Sequence, residues 1–361
     1  MNKPLFLSNI LSELTTSFKT EVVDSLTFAL SLLLRSSKLF AVLKTMKVNI
    51  MADSAIDVSF VMTVYNKEYY LPSVLKALLN QSGLKNPEFI FVDDLSSDRS
   101  VDIIREMTKD VPNVKIIANQ ENRGISVRIN QGIAEARGEY TRMLDSDDIF
   151  PIDSTAKMLE LAHKHKADMV YGCFTKTGKE PQDLENEYLM PFRYRYNSNA
   201  LQGVLTGRFT RMGQLIRTAV LQKAQGADER VFIQDESIPL RCAVHALGII
   251  KMDANVVLVP KELGNFSGNK IQLDNDRFLA YFYLIADNPQ LPLWAVKLLN
   301  RRAISAYWKY YKKTRRFPCL SQTFWLYLKN KIIPQLPNQT VLKKMRDEFL
   351  SLKNVRRIKS C

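Results

Sequence analysis

From Asp57 onward, unbroken apolar runs alternate with stretches of helical periodicity. Asp57–Val64 (DVSFVMTV) has no polar alternation, the pattern of a strand covered on both faces. Leu71–Asn80 then places Leu71, Val74, Leu75, Leu78 and Leu79 at helical spacing. The cycle repeats with strands at Glu88–Val92, Val114–Ala118 and Tyr140–Leu144, and with helices at Ser100–Lys109 and Ile125–Ala136, the latter stopped by Gly138. A helix over Asp153–Lys166 and a strand over Ala167–Thr175 follow. Thr177–Asn199 is polar, aromatic and interrupted by Pro181 and Pro191, which predicts a loop on the substrate side. Ile238, Leu240, Val244 and Leu247 predict a helix ended by Gly248, and Ile249–Val259 a last strand with a gap at Asp253–Asn255. Strands and helices alternating over short connections predict an α/β fold, an open and mainly parallel sheet with helices on both faces. Beyond Leu273 the chain turns helical. The expected organisation is an N-terminal extension over 1–56, helical in part, an α/β domain over 57–260, and a helical C-terminal region over 261–361.

In open α/β sheets ligands bind outside the carboxyl ends of the strands. Three strand ends here carry polar clusters: Thr63, Tyr65 and Asn66; Asp93 and Asp94; and Asp145, Asp147 and Asp148. An isolated Asp-x-Asp is more often a solvated turn that caps the next helix. Three polar strand ends in one sheet weigh against that reading, because carboxylates at such a rim suit Mg²⁺ or Mn²⁺ shared with substrate phosphates. No glycine-rich dinucleotide or P-loop motif is present, so glycine amides do not cradle the phosphate. Asp235 stands at the start of a helix, where a carboxylate also has the local use of capping it.

Charge changes the picture at the C-terminus. The net charge of +14 is concentrated in Gln290–Cys361, which holds 17 Lys and Arg against 2 Asp and Glu, while Asp57–Pro289 is slightly acidic. A nucleic-acid binder would carry its basicity across the binding domain. Trp294–Lys313 segregates Lys297, Arg301, Arg302, Lys309, Lys312 and Lys313 from Val296, Leu299, Ala303, Ala306, Tyr307 and Tyr310. Such a helix fits an anionic membrane, apolar face down, or an ordinary surface helix packed on its domain. The four cysteines have no Cys-x-x-Cys spacing and only three histidines accompany them, which argues against a zinc site or a disulfide framework and for a reducing, cytoplasmic setting. Val22–Leu34 contains Asp24 and is too short to span a bilayer, and its surroundings do not read as a signal peptide.

Five pieces in order resemble the inverting family 2 glycosyltransferases with the GT-A fold: Val58–Leu71, Phe89–Ser100, Asn122–Tyr140, Leu144–Asp148 and Gln234–Arg241. The resemblance covers somewhat over half the chain and neither end. It implies donor contacts from Thr63, Tyr65, Asp93, Asp94, Arg128 and Asp145, with Tyr65 against the base. It further implies a Mn²⁺ or Mg²⁺ held by Asp145, Asp147 and Asp148, and Asp235 as the catalytic base. Where the family usually has Glu-Asp, this chain has Gln234-Asp235. The implied activity is transfer of a sugar from a nucleoside diphosphate, UDP first, to an acceptor hydroxyl with inversion, in surface polysaccharide or lipopolysaccharide synthesis. The acceptor would be a glycan or lipid-linked molecule, and the enzyme would sit peripherally on the inner face of the plasma membrane. The alternatives are a non-catalytic nucleotide-sugar or glycan-binding scaffold of the same fold, towards which Gln234 leans, and a nucleotidyltransferase, which would want a Gly- and Lys-rich phosphate loop after its first strand.

Overall fold

The computed structural model describes residues 55–358 apart from 185–186, 208–212 and 262–268. The extension expected over 1–56 therefore lies outside the described residues, save its last two. Ile56–Cys361 forms one compact unit.

The expected strand–helix alternation is present. β1 (Val58–Val64), α1 (Leu71–Leu79), β2 (Glu88–Asp93), α2 (Ser100–Thr108), β3 (Val114–Ala118), α3 (Ile125–Glu135), β4 (Tyr140–Asp145), α4 (Ser154–His165) and β5 (Met169–Lys176) follow one another. After them come β6 (Tyr194–Asn197), α5 (Ala200–Thr206), β7 (Gln214–Arg217), α6 (Thr218–Lys223), α7 (Gln234–Ala243) and β8 (Ile249–Val259). The helical end comprises α8 (Lys270–Asp287), α9 (Leu293–Thr314), α10 (Gln322–Ile332) and α11 (Gln339–Leu350). The eight strands form one sheet in the order β3-β2-β1-β4-β7-β5-β8-β6. β1, β2, β3 and β4 are parallel, as are β5 and β8, whereas β7 runs antiparallel between β4 and β5.

Every residue of β1 is buried, because helices cover both faces of the sheet. α3 lies especially close: a Cβ on Gly132 would stand 2.3 Å from Val61 Cγ1. Glycine lets the helix settle on β1 and β2 at that distance.

Arg142 on β4 is fully buried. Its guanidinium donates to Ser154 Oγ at 2.8 Å, to Thr155 Oγ1, and to the Val256 carbonyl at 2.8 Å, and it lies 5.0 Å from the centre of the Phe150 ring. Burial pulls its pKa down to about 9, so it stays charged at neutral pH while tying β4 to α4 and β8. Arg142→Met leaves the Val256 carbonyl without this donor. We expect a loss of about 1–3 kcal/mol in urea unfolding, the usual cost of an unsatisfied buried group.

Three expectations are corrected. The segment expected as a loop over Thr177–Asn199 contains β6, an edge strand whose Tyr194 and Asn197 oppose Met252 and Ile249. Its Tyr-Arg-Tyr-Asn sequence lacks an apolar face, so nothing in the pattern announced it. β8 is continuous: the polar stretch Asp253–Asn255 is absorbed by register shifts against β5 around Cys173, a bulge of the kind that lets one strand carry extra residues. α7 starts at Gln234 and stops at Ala243, well short of Gly248.

The helical end expected over 261–361 is present as helices, and it packs on the sheet. One hydrophobic core joins Val61 and Ile90 of the sheet to Phe278, Leu299, Tyr307 and Phe349. Leu299, Ala303, Ala306, Tyr307 and Tyr310 of α9 are all buried in it. The apolar side of α9 is therefore packed inside the protein, and the picture of that helix lying apolar face down on a membrane does not hold. No helix among the described residues is long and apolar enough to cross a membrane.

Candidate active site

The parallel register creates the site. It sets Thr63 of β1 beside Asp145 of β4, and Val64 beside Asp93 of β2. Three polar strand ends thus arrive at one rim of the sheet. Two turns leaving that rim are left-handed at non-glycine residues, Asn66 (φ 52°) and Leu95 (φ 65°). The loops they begin are knitted together. Asn66 N donates to Ser96 Oγ at 2.9 Å, Ser97 N to Asn66 Oδ1 at 2.8 Å, and Lys67 N to Ser100 Oγ at 2.8 Å. Tyr65 stands half-exposed on this surface.

Asp93 is buried and its carboxylate accepts from both the backbone N–H, at 3.0 Å, and the hydroxyl of Ser96. Asp94 is buried too. Its Oδ1 accepts from Arg128 Nε at 2.6 Å and Arg123 N at 2.8 Å, and its Oδ2 accepts from Gly124 N at 2.8 Å. Arg128 in turn donates to the Glu121 carbonyl. Gly124, with φ +92°, is the residue from which α3 departs. Asp94 and Arg128 thus form a buried ion pair that fastens the loop 121–124 and the start of α3 to the end of β2.

At the end of β4, Asp148 is buried, Asp145 and Asp147 are partly exposed, and Lys67 Nζ rests on the Asp147 carboxylate. Burial pushes the Asp145 carboxyl up to about 6; the charge of Asp147 adds to this and Lys67 opposes it. Asp148 is raised well above the ordinary range, by burial first and then by Asp145, Asp147 and Asp235, again against Lys67. The Asp235 charge thus reaches Asp148, although the two are far apart in the chain. Thr63, Asp145, Asp148, Gln214, Gln234 and Asp235 line one hollow together with apolar side chains such as Ile129 and Phe150.

Asp235 reaches this hollow because α7 enters it with its first turn. Ile233, not Asp235, is the capping position, and its N–H donates to Asp276 Oδ2 at 2.8 Å. Arg241, farther along α7, donates to the Ala224 carbonyl at 2.7 and 3.0 Å and to the Gly226 carbonyl at 3.1 Å, which anchors the helix.

The structure therefore gathers Thr63, Asp145, Asp148 and Asp235 around one space. It keeps Asp147 at the edge, paired with Lys67, and gives Asp94 and Arg128 to each other. Lys67, Gln214 and Ser96 were missed in the sequence. Lys67 had a signal, a lone cation just past a strand end in a site rich in carboxylates. Gln214 had none, since its strand is inserted from a remote part of the chain.

The crowding of carboxylates fits a divalent cation, whose charge would relieve their mutual repulsion. Among the described residues no three His, Cys, Asp or Glu side chains are grouped to hold a metal ion, so the expected set of Asp145, Asp147 and Asp148 is not assembled as three ligands. An open site fits better, one in which two carboxylates hold the ion and diphosphate oxygens complete its shell.

The fold is that of the GT-A glycosyltransferases. It matches the crystal structure of S. aureus TarS 1–349 in complex with UDP-GlcNAc over 81% of this chain and 89% of that one, with TM-score 0.60 and 14% identity. It also matches the mannosyltransferase PcManGT of Pyrobaculum calidifontis in complex with GDP-Man and Mn²⁺, over 82% and 85% of the two chains, with TM-score 0.50 and 14% identity. Residues 59–224 match the model of glycosyl transferase family 2. Among sequence relatives, the minor teichoic acid biosynthesis protein GgaB of Bacillus subtilis is 33% identical over 31% of this chain and 13% of its own length. The matched stretches span less than half of this and other curated relatives.

Proposed function

We propose that the protein transfers a sugar from a nucleoside diphosphate donor, UDP-linked, to an acceptor hydroxyl with inversion of the anomeric centre. The observation that carries this reading is the shared hollow: Asp235 on α7 faces the same space as Asp145 and Asp148 at the end of β4. An acceptor hydroxyl becomes a competent nucleophile only as its proton is taken, and we assign Asp235 to take it. Attack from that side expels the nucleoside diphosphate toward the β4 rim in one displacement, with no covalent enzyme intermediate. Asp145 and Asp147, with Asp148 behind them, would hold Mn²⁺ or Mg²⁺; when bound, the ion supplies neutralisation of the charge that develops on the departing diphosphate. Lys67, which rests on the Asp147 carboxylate, is the cation at this rim that would meet the donor phosphates. Tyr65 offers its open ring to the base, and Asp93 shapes the ribose side through Ser96. Asp94 and Arg128 act as positioning residues for that pocket.

The acceptor we infer is a hydroxyl of a cell-surface polymer or of its lipid-linked precursor, at the inner face of the plasma membrane. The involvement of GgaB in teichoic acid biosynthesis supports this class of acceptor, as does the basic C-terminal tail.

The test is release of UDP from a panel of nucleotide sugars in the presence of Mn²⁺, with and without polymer acceptors. Pyrophosphate release instead would indicate nucleotidyl transfer, and the absence of any turnover would favour the scaffold towards which Gln234 leans. Binding can be read separately. At about 100 times its Kd, UDP with Mn²⁺ stabilises the folded chain by about 2.7 kcal/mol, visible as a rise in Tm. Asp147→Ala is expected to abolish the part of that rise that depends on Mn²⁺. An unchanged metal-dependent rise in the variant would remove Asp147 from the metal site.

A further inference from the structure

α10 sets Leu326 and Tyr327, partly buried, against the core, yet leaves other large apolar side chains outside. Its sequence, QTFWLYLKNKI, is rich in large apolar residues, yet its one buried residue is Asn330. Asn330 Oδ1 accepts from Asn300 Nδ2 at 3.1 Å and from Gln335 N at 3.2 Å. On the same inner side Phe324 and Tyr327 lie against Trp308 of α9, with ring centres 5.4 Å apart in each pair. These contacts fix the rotation of the helix. They leave Trp325, Lys329 and Ile332, spaced at i, i+4 and i+7, on the outward face. Trp325 is 63% exposed and Ile332 71% exposed. The segments on either side add Phe317, Leu320 (84% exposed) and Ile333 to the same stretch of chain.

We propose that the outward face of α10, with its flanking segments, is a docking surface for an anionic lipid bilayer. Charge selects this occupant. Between Asp287 and Asp347 the chain has no acidic residue, and exposed Arg316, Lys329 and Lys331 neighbour the exposed apolar side chains along the chain, while Arg315 pairs with Glu348 at 3.4 Å. Apolar residues and an indole that enter the acyl boundary, with basic groups at headgroup level, make up the interfacial binding pattern. A second copy of the chain is a poorer occupant, since two-fold pairing of this face would set these cations against their own equivalents. The helix is too short to span a bilayer and would lie in the interface. The surface thus assigns the membrane contact to α10 and not to α9, whose apolar side is consumed by the core. It rests on the glycosyltransferase reading only for its purpose, which is to hold the enzyme beside a membrane-borne acceptor.

The experiment is co-sedimentation of the full chain with vesicles of phosphatidylcholine, with and without phosphatidylglycerol. Binding is expected on the anionic vesicles only and to fall as salt rises. Trp325→Ser with Ile332→Ser, and separately Lys329→Glu with Lys331→Glu, should each lower the partition coefficient by about tenfold or more. Far-UV circular dichroism should be unchanged, because the substituted side chains point outward. Failure of the wild type to bind, or undiminished binding by both variants, overturns the proposal. So does a wild-type dimer that the same substitutions dissolve, which would make this face a contact between copies. UDP release measured with soluble donor is read in parallel and should be unaffected by either variant. A chain that binds vesicles through α10 but never releases UDP would refute the transfer reading and leave the docking surface standing.

Discussion

Asp235→Asn is expected to lower kcat by about 10²–10⁴-fold, the span that a positioned general base contributes, while KM for the donor stays close to wild type. The substitution keeps the shape of the side chain and removes its capacity to accept the acceptor's proton. It should not unfold the protein. α7 is held by Asp276 at Ile233 and by Arg241 at the Ala224 and Gly226 carbonyls, contacts that the substitution leaves in place. The neutral amide also removes a charge that repels Asp148, so the thermal midpoint should hold or rise slightly. A purified Asp235→Asn variant with near wild-type turnover would show that the base lies elsewhere. A variant that loses donor affinity and turnover together would make Asp235 a binding residue.

Asp94→Ala is expected to cost about 3–5 kcal/mol of stability, the penalty of leaving one member of a buried ion pair without its partner. The loss is large because three donors depend on this carboxylate: the Arg128 guanidinium and the backbone amides of Arg123 and Gly124. Both side chains are nearly inaccessible, with 5% and 6% exposure, so water cannot take over the role. In thermal melts the shift should be on the order of 10 °C. Converting both residues to apolar ones, Asp94→Leu with Arg128→Met, should recover part of that loss, since the stranded charge is then gone. If Asp94→Ala melts like the wild type but binds UDP poorly, the residue meets the donor directly and its positioning role is refuted.

The strand–helix alternation from Val58 to Lys176 could be read from the chain alone, because a strand buried on both faces has to be an apolar run and its covering helices have to carry an apolar stripe. Glu88–Asp93 and Tyr140–Asp145 are such runs, and their boundaries moved by only a residue between pattern and structure. The polar strand ends were equally legible: Asp93, Asp145 and Asp148 interrupt apolar stretches where no packing would favour a carboxylate. β6 and β7 were not legible as strands. Each is a four-residue segment whose partner strands lie far away in the chain, and so short a piece takes its conformation from its neighbours rather than from its own pattern.

The helical end illustrates the same division. The amphipathic character of α9 and the charge of the tail are properties of the chain, and both are present. Which apolar side turns inward is not such a property: α9 buries its apolar residues against α8 and α11, while α10 is held by Asn330 and Trp308 with Trp325 and Ile332 left outside. The sequence by itself determined the class of sheet, the places where its strands end and the residue types found there. The tertiary structure alone decided that Asp235 and Asp148 share one hollow, that Lys67 lies on Asp147 and that Asp94 faces Arg128, because such meetings depend on the order in which strands stand side by side.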